Sequence, residues 1–152
     1  MTAQMNESLL YKGEKVGMFA LPLRSYLEKR YGIYFKAPHS FLWRGYVGHW
    51  EISKNKLYLI DFVGFSEDSS KLDMNCLFPG ESKVFAKWFS GKITIPRGEL
   101  LYYYHGGFGG IYKEDQILTL ENGLLINEEL VNNEERARKQ KQKDIDFPDD
   151  LF

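Results

Sequence analysis

Apolar and polar positions alternate through two neighbouring stretches, "FLWRGYVGHWEI" (41–52) and "LYLIDFVGF" (57–65), joined by the polar "SKNK". A period of two is the mark of a strand, so the pair predicts an antiparallel hairpin. If Ser53 and Lys56 close the turn, Ile52 faces Leu57 and Trp50 faces Leu59. One face then carries Arg44, Tyr46, Trp50, Leu59, Asp61 and Val63. The other carries Trp43, Val47, His49, Glu51, Tyr58, Ile60 and Phe62. Both faces are largely apolar, as in a strand covered on both sides. The hairpin is therefore expected at the centre of its sheet, with Trp50 buried.

The remaining segments extend this pattern. "LLYKGEKVGMFA" (9–20) reads as two short strands around Gly13–Glu14. In "LPLRSYLEKRYG" (21–32) the period changes to helical: Leu23, Tyr26, Leu27 and Arg30 share a face, Pro22 suits a first turn and Gly32 a stop. "SSKLDMNCLFPGE" (69–81) shows no period. In "ESKVFAKWFSG" (81–91), Val84, Phe85, Trp88 and Phe89 fit one helical face, with Ser82 as cap and Gly91 as stop, although a strand also fits so short an apolar run. "KITI" and "ELLYYYH" flank "PRG", read as a turn, and "IYKEDQILTL" and "LLIN" flank Asn122–Gly123, a strong hairpin signal. The expected fold is a β-rich α+β domain. It has two short helices and a twisted antiparallel sheet closing toward a small barrel or sandwich. A single globular domain is expected over residues 1–130, followed by a charged, flexible tail over 131–152, with "EELVNNEERARKQKQK" either a solvated helix or disordered.

Composition sharpens this picture in one respect. Of the 152 residues 43% are hydrophobic and 27% charged, which is ordinary, but 16% are aromatic, including 10 Tyr and 11 Phe. Aromatic rings suit pleated surfaces and also protein contacts, because they bury much area with few rotors to freeze. A formal net charge of −1 gives no general attraction for phosphate backbones or anionic lipid, so nucleic acid and membrane are not expected partners. The N-terminal stretch lacks the basic and long apolar regions of a secretory signal, and Cys76 has no second cysteine to pair with, so a cytoplasmic setting is expected.

Candidate chemistry is sparse. "LLYYYHGGFGGIY" (100–112) sets Tyr103, Tyr104 and His105 beside a loop with four glycines in five positions and Phe108 at its tip. Glycine clusters of this kind serve first as turn chemistry. As a site, the loop would bring a ligand close to the backbone, with the tyrosines and histidine as polar handles. It matches no phosphate-cradling pattern. The chain also has no G-x-S-x-G elbow to supply a nucleophile beside it. Arg44 and Asp61 are a possible cross-strand pair, and His49 with Glu51 a possible carboxylate–histidine pair for general-base work. His49 and His105 sit on different hairpins and are not expected to act together. His39, His49, His105 and Cys76 lack metal-ligand spacing, so neither metal nor cofactor is expected.

The end of the sequence, "DIDFPDDLF" (144–152), sets Ile145, Phe147, Leu151 and Phe152 among four aspartates. It resembles the acidic, hydrophobic-ended tails of bacterial single-stranded-DNA-binding proteins, which recruit partners through a terminal Phe. It is also similar to clamp-binding peptides ending in Leu-Phe. The usual Pro-Phe ending and the clamp motif's Gln are missing here. The resemblance implies docking into a groove on another protein, with Phe147, Leu151 and Phe152 as anchors. A protein-interaction module is therefore the leading expectation: an inhibitor, immunity or accessory protein of a bacterial system. A small-ligand-binding β-barrel with a Tyr/Gly-rich mouth is the alternative. A hydrolase-like enzyme using His49/Glu51 or His105 stands third.

Overall fold

The computed structural model describes residues 5–29, 35, 37, 42, 44–66, 68, 70–103 and 110–147. The chain opens with β1 (Glu7–Tyr11) and β2 (Glu14–Met18), followed by α1 (Arg24–Glu28). The central hairpin is β3 (Tyr46–Ser53) and β4 (Lys56–Phe65). Next come β5 (Lys71–Asp73), α2 (Met74–Leu77) and β6 (Val84–Phe85). The last four elements are β7 (Gly91–Tyr103), β8 (Gly110–Glu121), β9 (Leu124–Asn132) and α3 (Glu134–Asp146).

The strands run in the order β2-β1-β3-β4-β9-β8-β7, with β5 and β6 also pairing with β4. The sheet is mixed rather than antiparallel throughout, because β1 lies parallel to β3. Two halves are visible. β2-β1-β3-β4 and β9-β8-β7 are joined at the single pair Lys56–Leu124, where β9 leaves β4 at the Lys54–Asn55 turn. At the other end of the order the halves are linked, among the described residues, by an isolated bridge, Phe19–Thr94, and by the Arg97–Glu14 ion pair. The pairing does not close into a continuous barrel. Both halves feed one core: Leu9, Trp50 and Leu59 from the first half and Ile93, Ile95 and Leu118 from the second are fully buried in a common cluster. Each such side chain contributes roughly 1.5–3 kcal/mol on leaving water.

The central hairpin pairs as the alternation requires, with Ile52 opposite Leu57 and Trp50 opposite Leu59. Its faces differ from the simple reading beyond that point. A bulge between His49 and Trp50 leaves Ile60 as an extra residue in β4, so His49 pairs with Asp61. Every later residue of β4 therefore changes sides: Phe62 enters the core and Asp61 faces solvent.

Three further expectations are corrected. Residues 82–91 are not a helix. Val84 and Phe85 pair with Leu59 and Tyr58, and the Trp88 indole donates to the Pro22 carbonyl at 2.7 Å. The apolar cluster is satisfied by the unused edge of β4, not by a helical face. "PRG" is not a turn either: Pro96 and Arg97 pair with Asp115 and Glu114 within one 13-residue strand. β7 ends the strand order, so Pro96 lies where a missing N–H is tolerated. Gly98, at φ +81, sits in a bulge that bends the strand. Finally, the described residues form three helices rather than two, α2 falling in the segment without period and α3 taking the helical alternative for the charged run.

Candidate functional site

β7 and β8 outrun the first half of the sheet, and together with β9 they form an arm. Tyr103 pairs with Gly110 at its tip. Tyr104, His105 and Phe108 of the glycine loop lie outside the described residues. Tyr103 is 51% exposed. Behind this hairpin the charged run becomes α3. Buried Asn133 anchors its start, donating from its backbone N–H to the Lys113 carbonyl at 2.8 Å and from its side chain to the Tyr112 carbonyl at 3.0 Å. Buried Ala137 sits one turn on, and Arg136 approaches Asp115 at 3.4 Å. Further along, the Tyr102 hydroxyl donates to the Asp144 carboxylate. A cavity of about 340 Å³ lined by Tyr102, Ile111, Arg136 and Gln140 remains between helix and hairpin.

This packing carries the helix end back toward the tip of β7. Phe147, 77% exposed, thus emerges three residues after the Asp144 contact with Tyr102, the neighbour of Tyr103. The structure so brings Tyr103 and Phe147, 44 positions apart, to one end of the arm. Leu151 and Phe152 lie outside the described residues. The sequence pattern marks β9 only as far as "LLIN", whereas the strand runs on to Asn132. It pairs with β8 along its length, but with β4 only at Leu124, so among the described residues the other edge of Ile126–Asn132 has no strand partner. Ile126, Leu130 and Val131 are exposed along it. The only sequence signal was a strand pattern that faded into charge after "LLIN".

The polar candidates of the central hairpin find other partners. Arg44 does not reach Asp61. It pairs with Glu7 at 2.8 Å, and that carboxylate also accepts from the Gly48 N–H at 2.6 Å and the Trp50 indole at 3.1 Å. Burial pushes the Glu7 carboxyl up, against the pull of the Arg44 guanidinium. A Cβ at position 48 would fall 2.7 Å from Glu7 Oε1, so only glycine fits this close approach. His49 and Glu51 do not pair: His49 Nδ1 lies 2.5 Å from the Ser8 hydroxyl, while Glu51 binds Lys83 at 2.8 Å. Ser8, His49 and Asp61 line an open cavity of about 310 Å³. The Asp61 carboxylate is turned instead to the Phe62 N–H at 2.8 Å. A hydroxyl–imidazole pair is therefore present without the carboxylate that would orient the imidazole as a base. Among the described residues no cluster of three His, Cys, Asp or Glu side chains could hold a metal ion.

A chain of hydrogen bonds ties the arm to β1. Tyr11 donates to Glu128 at 2.7 Å, Gln116 donates to the same carboxylate at 2.5 Å, and Arg97 Nη2 donates to Gln116 at 2.8 Å. These donors hold the Glu128 carboxyl below its usual range, the Tyr11 bond first. Burial and the Glu128 carboxylate push the Tyr11 phenol up to about 12; burial, with the Glu7 charge behind it, does the same for Tyr46. The sign follows from the raised values. Stability from the neutral phenols is complete below the ordinary tyrosine value of 10.0 and is lost as pH rises through about 12. Ultraviolet titration of the folded protein should show two phenols ionising late, with denaturant midpoints falling across that window. Tyr11→Phe and Tyr46→Phe should each remove one late phenol. A single unresolved tyrosine transition near the ordinary value would contradict the geometry.

Comparison with protein-family models, curated proteins and solved structures finds no match to this chain. No described helix is long and apolar enough to cross a membrane.

Proposed function

We propose that this protein is a protein-interaction module whose recognition surface is the β7–β8–β9–α3 arm. One observation carries the reading: exposed large apolar side chains are concentrated in one half of the sheet and the helix that follows it. Among the described residues, every exposed large hydrophobic side chain except Met5 belongs to this half. They are Leu100 and Tyr103 on β7, Leu124, Ile126, Leu130 and Val131 on β9, and Ile145 and Phe147 at the end of α3. Scattered exposed leucines are ordinary, but a set confined to one half of the sheet, along a strand edge without a partner among the described residues, supports an interface there. In this reading Tyr103 and Phe147 belong to the distal contact; Tyr104, His105, Phe108, Leu151 and Phe152, the other candidate contact residues, lie outside the described residues. The β2-β1-β3-β4 half, which shares its core with the arm, serves as the platform that carries it. The near-neutral charge and single Cys76 suit an inhibitor, immunity or accessory protein in a bacterial cytoplasm.

The test is affinity capture from an extract of the source organism. It compares the full chain, an Ile126→Lys/Leu130→Lys variant, a chain ending at residue 143, and a control changed at Lys15 on the opposite half. A partner should be retained by the wild type and the control. Both arm variants should lose it, at least tenfold for the double substitution, as for loss of central apolar anchors. Equal capture by all four proteins would remove the arm from consideration.

A further inference from the structure

We infer that the β9 edge pairs with β9 of a second copy of this chain, antiparallel and centred on Leu130. The inference rests on the interaction reading above and names the partner of its edge. From Asn127 to Asn132 the strand has, among the described residues, main-chain pairing on one side only. Leu130, 61% exposed, lies midway between the acidic residues Glu128 and Glu129 and the turn into α3.

Charge then selects the occupant and its register. An antiparallel copy centred on Glu128–Glu129 would set acidic residues opposite one another, which is unfavourable. Shifting the axis to Leu130 places Leu130 against its own counterpart, Glu129 against Val131, and Glu128 against Asn132. Val131 lines a cavity of about 440 Å³ in which Arg136, Lys139 and Lys143 stand against the single carboxylate of Glu135, so the charge of its lining is net positive. Glu129 and Val131 are two apart and project from the same face of β9. In this register each Glu129 carboxylate therefore meets the basic cavity of the other copy, twice about the axis. A twofold interface requires this reciprocity, with residue i on j and j on i. The leucine pair supplies the apolar centre and the two acid–base contacts set the register.

Sedimentation equilibrium of the full chain over a concentration series tests the pairing. The wild type should populate a species of twice the chain mass. Leu130→Lys should sediment as a single chain with an unchanged circular dichroism spectrum. Glu129→Lys and Lys139→Glu should each weaken the dimer by about tenfold, since each removes an attraction and adds a repulsion at both symmetric contacts. Mixing the two weakened variants should restore the dimer, because both contacts are then complementary again. No purely structural defect would be repaired that way. A wild type that stays monomeric at all concentrations overturns the inference, as does a dimer indifferent to Leu130→Lys or a mixture that fails to recover. If a monomeric chain still captures a foreign partner through the arm, the interaction reading stands without the dimer. If arm substitutions move neither assay, both fall.

Discussion

Replacing Glu7 by alanine is expected to destabilise the protein by about 3–5 kcal/mol, the usual cost of breaking a buried ion pair from one side. Arg44 is only 12% exposed, and its Nε is buried without a hydrogen-bond partner. Without Glu7, its guanidinium charge would be left nearly dry and uncompensated. The Gly48 N–H and the Trp50 indole would lose their acceptor as well. The pair is not for that reason a net source of stability. Burial raises the Glu7 carboxyl in spite of Arg44, so the charged form is held at a cost. Its role is to fix β1 against β3, since one carboxylate reads Arg44, Gly48 and Trp50 together. Glu7→Gln combined with Arg44→Leu should therefore be markedly more stable than the sum of the single losses. Urea melts of the four proteins measure this coupling. Additive losses would show that the two side chains do not act as a pair.

Trp50→Ala should cost a similar amount, about 3–5 kcal/mol, as for deletion of a large core aromatic. Trp50 is fully buried in the common core and also donates to Glu7. Because the two residues touch, Trp50→Ala and Glu7→Ala should not add. A loss below roughly 1 kcal/mol in a denaturant melt would place the indole at the surface and undo the register of the central hairpin.

That register was readable from the chain because its causes are local. Period-two alternation and a two-residue turn are enough to set Ile52 against Leu57 and Trp50 against Leu59. The same holds for the Asn122–Gly123 hairpin, where Glu121 pairs with Leu124. The bulge at His49–Trp50 was not readable. An extra residue in β4 leaves the hydrophobic pattern plausible in both registers, and only packing against the rest of the core selects Phe62 over Asp61 for the interior. The segment around Val84–Phe85 misled for a related reason. A short apolar run carries the same letters whether it covers a helix face or completes a strand edge.

For the candidate site, Tyr103 and Phe147 were both legible as residues, but not as belonging to the same end of the arm. That placement depends on α3, whose sequence lacks an apolar stripe and needs only Asn133, Ala137 and a few polar contacts to lie along the hairpin. Glu7 gave no signal of its role, since a lone glutamate ahead of a strand ordinarily faces water. Arg44 and His49 did signal an unusual hairpin, but their partners Glu7 and Ser8 come from β1, which reaches β3 through a parallel pairing that no local pattern announces. By itself the sequence determined a β-rich domain, its central hairpin and its Asn–Gly turn. All of these follow from interactions within about a dozen residues. The tertiary structure alone decided that β1 runs parallel to β3, that Pro96 lies within a strand, and that β9 leaves β4 after one pair. Each depends on which distant backbone edge is left free, and edges are shared out only when the whole sheet assembles.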